Sequence, residues 1–131
     1  MYIDKSKIDV DKKFRFRNFP VYVDARRICY EIKTELKDSF PDYEKFGLKT
    51  QPFRALDSSL LNIAEGSERK TDIDFARFLN NASASINECV ACLDSMLDQK
   101  FIDENFHEEF LYKLAHLANQ LTAFRQSILK D

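Results

Sequence analysis

Residues 71–99 read TDIDFARFLNNASASINECVACLDSMLDQ, and the spacing of their apolar side chains decides the fold class. At 100° per residue, Phe75, Phe78, Leu79, Ala82, Ile86, Cys89, Leu93, Met96 and Leu97 fall on one face, the signature of an amphipathic helix. Thr71 or Asp72 starts it, since either side chain can accept a hydrogen bond from the unpaired amides of a first turn. The period lapses over Lys100 to Ile102 and resumes at Asp103. From there to the chain end Phe106, Phe110, Leu114, Leu117, Leu121, Phe124 and Ile128 form a face that Leu111, Ala118 and Leu129 widen. Two helices of about 28 residues are each about 40 Å long at 1.5 Å per residue, and a short turn returns the second antiparallel to the first.

Working outward, two further helices precede this hairpin. Pro20 suits a first turn, having a fixed φ and no amide to leave unpaired. Val21, Ala25, Ile28, Cys29, Ile32 and Leu36 then share an arc, in a helix expected to run to about Asp38. Residues 38–50 make a long connection whose Phe40, Tyr43 and Phe46 are expected to fold over the bundle end. The next helix opens near Thr50, with Pro52 in its first turn, and carries Phe53, Leu56, Leu60, Leu61, Ile63 and Ala64. Gly66 is expected in the left-handed position that ends many helices. The fold class is therefore all-α, an antiparallel up-down-up-down four-helix bundle over residues 19–131 with a basic N-terminal arm over residues 1–18.

Composition agrees. With 131 residues, 44% hydrophobic, one core is affordable without metals or disulfides, and 2 Gly and 3 Pro leave little for sheets or phosphate loops. No run of about 18 apolar residues could span a bilayer and no apolar leader opens the chain, so a cytoplasmic location is expected, without a membrane partner. The odd count of 3 Cys also fits a reducing compartment. The net charge of -2 hides an asymmetry: residues 1–20 carry six Lys/Arg against three Asp, whereas residues 71–131 carry five basic against ten acidic side chains.

The catalytic and metal patterns in the chain are incomplete. Cys89-Val90-Ala91-Cys92 has C-x-x-C spacing but lies inside a helix rather than at its N-terminus, and Cys29 with two scattered His does not complete a zinc set. A di-iron bundle needs Glu-x-x-His on two helices; only Glu104 to His107 fits, and His116 has no such companion. With no Gly-rich phosphate loop and no nucleophile elbow, neither enzymatic activity nor a cofactor is expected.

Three surface features remain. Lys12-Lys13-Phe14-Arg15-Phe16-Arg17 alternates basic and aromatic residues, as an extended arm would. Tyr22, Arg26, Tyr30, Lys33 and Lys37 form a second cation-and-ring stripe on the first helix. Cations neutralise phosphates and rings stack on unpaired bases, so both are candidate nucleic-acid contacts; the alternative for the stripe is a solvated face with tyrosines at a subunit contact. On the second helix Gln51, Arg54, Ser58, Asn62, Glu65 and Arg69 form a polar stripe about 80° wide beside the apolar arc. It is either a structural network at a bundle or subunit boundary, with charged partners for Arg54 and Glu65, or a polar binding strip.

The order of residues adds a resemblance. Phe40-Pro41, Glu44-Lys45-Phe46-Gly47-Leu48, Gln51, Arg54-Ala55, Ser58, Asn62-Ile63-Ala64-Glu65-Gly66 and Arg69, then Phe75, Phe78-Leu79, Ala82, Ser85 and Glu88, are similar to the four-helix bundle proteins encoded in bacterial 23S rRNA intervening sequences, once labelled S23 ribosomal protein. The likeness covers about residues 19–97. It implies an up-down-up-down bundle assembled as a homopentamer, with distant kinship to the accessory variability determinant proteins of diversity-generating retroelements, which bind nucleic acid and a reverse transcriptase. The resulting expectation is a non-enzymatic homo-oligomeric adaptor that binds RNA or a nucleic-acid enzyme through its arm and first helix, with apolar surplus on the last helix supporting assembly. The alternative is a protein-protein scaffold with no nucleic-acid role.

Overall fold

The computed structural model describes residues 1–37 and 50–130, and every regular element among them is helical. Four long helices, α1 (Pro20–Leu36), α2 (Thr50–Gly66), α3 (Asp72–Asp98) and α4 (Glu104–Leu129), follow three short helical turns at Lys5–Lys7, Val10–Lys13 and Arg15–Asn18. Each long helix packs on two others, α1 and α3 both touching α2 and α4. Paired positions run in opposite senses. Along α1, Phe19, Asp24 and Glu31 meet Phe124, Gln120 and Lys113 of α4. Along α2, Gln51, Ser58 and Gly66 meet Cys92, Ser85 and Phe78 of α3. Neighbours are thus antiparallel, and the bundle runs up-down-up-down. The expected end of α1 at Asp38 and the cover of Phe40, Tyr43 and Phe46 lie outside the described residues.

The helix starts follow from local chemistry. Thr71 accepts from the Asp74 amide at 3.1 Å and Asp103 from the Phe106 amide at 2.8 Å, so each cap satisfies one orphan donor. Pro20 opens α1 without needing a side-chain cap. Ala25, Ile32 and Leu36 of α1, Leu56 and Ile63 of α2, Leu79, Ala82, Cys89, Leu93 and Met96 of α3, and Phe110, Leu114 and Leu117 of α4 lose all solvent contact. Each large aliphatic or aromatic member contributes about 1.5–3 kcal/mol by leaving water.

Three expectations change. Gly66 is the last residue of α2 and has no positive φ. Its role is space: a Cβ there would stand 2.8 Å from Phe78 Cβ and 2.9 Å from Phe75 Cδ1, so the end of α2 rests directly on α3. The left-handed residue is instead Lys100, φ 63, with Phe101 N–H donating to Met96 O at 2.9 Å and Lys100 N–H to Leu97 O at 3.0 Å, the pairing of a Schellman stop.

The arm is not extended. Asp4 caps the turn at Lys5–Lys7 and Asp9 the turn at Val10–Lys13, and turns this short show no helical period. The apolar surplus of α4 is also smaller than its stripe suggests, because Phe19, the residue that precedes α1, covers Phe124 at 5.1 Å between ring centres. Among the large hydrophobic residues of α4, Tyr112 and Leu129 stay exposed.

Substituting Gly66→Ala should lower stability by roughly 1–3 kcal/mol through overpacking against the two rings, despite alanine's better helix propensity. Lys100→Gly should raise it by about 0.5 kcal/mol, the left-handed relief less the entropy cost of glycine. Urea unfolding midpoints of the two variants should move in opposite directions.

Candidate nucleic-acid interface

The arm turns back onto the α2–α3 turn. Arg15 Nη2 donates to Ser67 O at 2.8 Å, just past the C-terminal end of α2, where a helix presents unpaired carbonyls and a partial negative charge. The same guanidinium lies 5.4 Å from the Phe19 ring centre and 5.7 Å from that of Phe75. Phe19, Phe75 and Phe124 pack on one another, and Phe16 meets Tyr22 edge-on at 5.0 Å. Two depressions flank Arg15. One is an apolar crevice of about 480 Å³ that Phe19, Phe75 and Phe124 help to line. The other is a cleft of about 690 Å³ between the arm and the α2–α3 turn, with Lys7, Lys12, Lys13, Arg15 and Arg69 facing Asp9 and Glu68.

Asp9 is partly committed, since its carboxylate accepts the Lys12 amide at 3.0 Å. The cleft therefore concentrates cations in a chain whose net charge is -2. Arg17 points elsewhere, into a shallow depression with Ser6 to Asp11 on another side of the arm.

The α1 stripe divides. Tyr22 is half-buried against Phe16, and Lys33 pairs with Asp57 of α2 while lying 5.9 Å from the Phe53 ring centre. Arg26, Tyr30 and Lys37 are exposed along the outer face. The stripe is thus separate from the cleft, and its central cation is neutralised. The spacing that placed Lys33 beside the tyrosines could not show an aspartate arriving from another helix.

The α2 polar stripe likewise falls into three parts. Gln51 and Arg54 border a groove with Glu88, Ala91, Cys92 and Ser95. In the middle, Ser58 Oγ accepts from Ser85 Oγ at 2.8 Å and from Asn62 Nδ2 at 3.2 Å, which ties α2 to α3. At the arm end Arg69 donates through Nε to Glu65 O at 3.3 Å and stands 4.5 Å from the Phe78 ring centre. The charged partners expected for Arg54 and Glu65 do not occur among the described residues. Arg69 lies on that stripe by spacing, and Lys7 is a cleft cation that the spacing does not single out; the signal is present in Lys5-Ser6-Lys7 and Arg69-Lys70, yet nothing local brings those two runs together.

The model of the 23S rRNA-intervening sequence protein family matches residues 17–123. The chain belongs to that family. A crystal structure of a protein of unknown function from the S23 ribosomal protein family of Bacteroides thetaiotaomicron shares the fold with a TM-score of 0.73 at 20% identity, over 80% of this chain and 97% of that one. No curated protein matches. The family match begins at Arg17, so most of the arm that walls the cleft lies outside the family's common segment.

The thiols and histidines do not form a centre. No group of three or more His, Cys, Asp or Glu among the described residues could hold a metal ion. His107 Nε2 lies 2.7 Å from Asp94 Oδ1 across the α3–α4 turn, and His116 is exposed. Burial pushes Cys29 up to about 11, and burial with the neighbouring thiols pushes Cys89 up to about 12; Cys92 is also raised by burial. Among the described residues no helix is long and apolar enough to cross a membrane. In native protein at about pH 8, iodoacetamide should alkylate Cys29 and Cys89 roughly a hundredfold or more slower than free cysteine, with full reaction only after unfolding. Rapid labelling of either residue in the folded state would contradict their assignment as packing groups.

Proposed function

We propose that this protein is a non-enzymatic homo-oligomeric adaptor that binds RNA through the cationic cleft between its arm and its α2–α3 turn. The cleft itself carries the proposal: five cations face two carboxylates there, and the arm is already folded, so less conformational entropy is lost when a phosphate backbone is clamped. Charge along the bundle supports the same direction of approach. At the far end Asp94, Asp98, Asp103, Glu104, Glu108 and Glu109 outnumber Lys100 and Lys113, so a polyanion is steered toward the arm and repelled from the α3–α4 turn.

Assembly as a pentamer follows the family resemblance. Among the described residues, half of the exposed large hydrophobics, Met1, Tyr2, Ile3, Ile8, Val10 and Phe14, belong to the arm, where a second copy would cover them. A ring would repeat the cleft and turn modest contacts into avidity.

Affinity for a structured RNA should fall by roughly a hundredfold between about 50 and 200 mM salt, as expected for three to five phosphate contacts. Replacing Lys7, Lys12 and Lys13 together by Gln should flatten that dependence by about two to three charges. Salt-independent binding, or a slope that the triple variant leaves unchanged, would overturn the cleft. A monomer by sedimentation equilibrium across micromolar concentrations would overturn the assembly. Absence of any RNA binding would favour the scaffold role.

A further inference from the structure

Beside the cleft stands a ring with cations gathered on it. Phe78 of α3 is half-buried, and its ring centre lies 4.5 Å from Arg69 Cζ and 4.8 Å from Arg77 Cζ. Arg69 belongs to both places: it lines the cleft and covers Phe78. Arg77 is built differently from a free surface arginine. Its Nε and Nη2 donate to Asp74 Oδ1 at 3.0 and 2.7 Å, while its side chain stays 61% exposed. Asp74 is itself placed by the first turn of α3, where its amide donates to the Thr71 hydroxyl. The guanidinium is therefore held by its edge and supported by an aromatic ring, with much of its surface open to solvent.

A planar, weakly hydrated cation fixed this way has a specific use. Guanidinium planes stack on nucleobases, and a base can reach such a plane only when it is unpaired and turned out of a helix. We infer that Arg77 is a stacking platform for one unpaired nucleobase of an RNA whose neighbouring phosphates occupy the cationic cleft, so that the protein selects single-stranded or looped RNA over duplex. The inference rests on the cleft binding RNA and adds what the cleft alone lacks, since phosphates are common to paired and unpaired strands. Lysine at this position would keep the charge and lose the plane. The exposed Asp74–Arg77 pair lies within one helix turn and contributes little to folding, so its variants remain folded.

The test uses the full chain, as wild type, Arg77→Lys and Arg77→Ala, with a short single-stranded RNA carrying 2-aminopurine and the same sequence annealed as a duplex. Wild type should bind the single strand roughly tenfold tighter than the duplex and raise the 2-aminopurine emission as that base leaves the stack of its neighbours. Arg77→Lys should lose that preference and the rise in emission, with duplex affinity and thermal midpoint unchanged. Equal affinities of wild type for the two RNAs, or a parallel loss for both RNAs in Arg77→Lys, would overturn the platform while leaving salt-dependent binding at the cleft intact. Failure of wild type to bind either RNA would remove the cleft reading as well.

Discussion

The arm end of the molecule depends on the docking of Arg15. One side chain donates to the Ser67 carbonyl and lies over the Phe19 and Phe75 rings, so it joins a helix C-terminus, the arm and α3 at a single point. Each contact suits a guanidinium better than an ammonium: the carbonyl takes an edge N–H, and the rings accept a delocalised plane. With the arm held there, Lys7, Lys12 and Lys13 stand opposite Arg69 rather than sampling solvent on a tether. Gly66 serves the same region from beneath, because only the absence of a Cβ lets the end of α2 rest on Phe75 and Phe78.

A net charge of -2 is a poor guide to such a molecule. The antiparallel order puts the start of α1, the end of α2, the start of α3 and the end of α4 at one pole, together with the arm. The other pole holds the α3–α4 turn and its carboxylates. Helices of 27 and 26 residues separate the poles by about 40 Å, several screening lengths at physiological salt, so the acidic pole does not cancel the basic one locally.

Most of the bundle was legible in the sequence because its helices are long enough to repeat their period several times and start on side chains that cap. Thr71 and Asp103 do what their chemistry indicates, and the buried faces of α3 and α4 contain most of the residues that the 100° projection selects, with Phe78, Leu97, Phe106, Phe124 and Ile128 half-buried at their margins. The arm was legible as basic and aromatic but not as folded, since turns of three or four residues lie below the length at which periodicity can be read; the signal was in Asp4 and Asp9 and their capping positions. The α1 stripe was legible as surface, yet the neutralisation of Lys33 by Asp57 is a tertiary fact. The cleft was half legible: Lys12, Lys13 and Arg15 were visible as cations, whereas Lys7 and Arg69 join them only because the arm turns back over the α2–α3 turn.

A preformed cleft requires the arm to be part of the fold in the free protein, and amide hydrogen exchange across residues 10–19 of the full chain measures that directly. The Phe14 and Phe19 amides, which donate to Val10 O and Phe16 O, should exchange well below unfolded-chain rates without RNA and should slow further when RNA is added. Exchange of this segment at unfolded-chain rates in the free protein would contradict it.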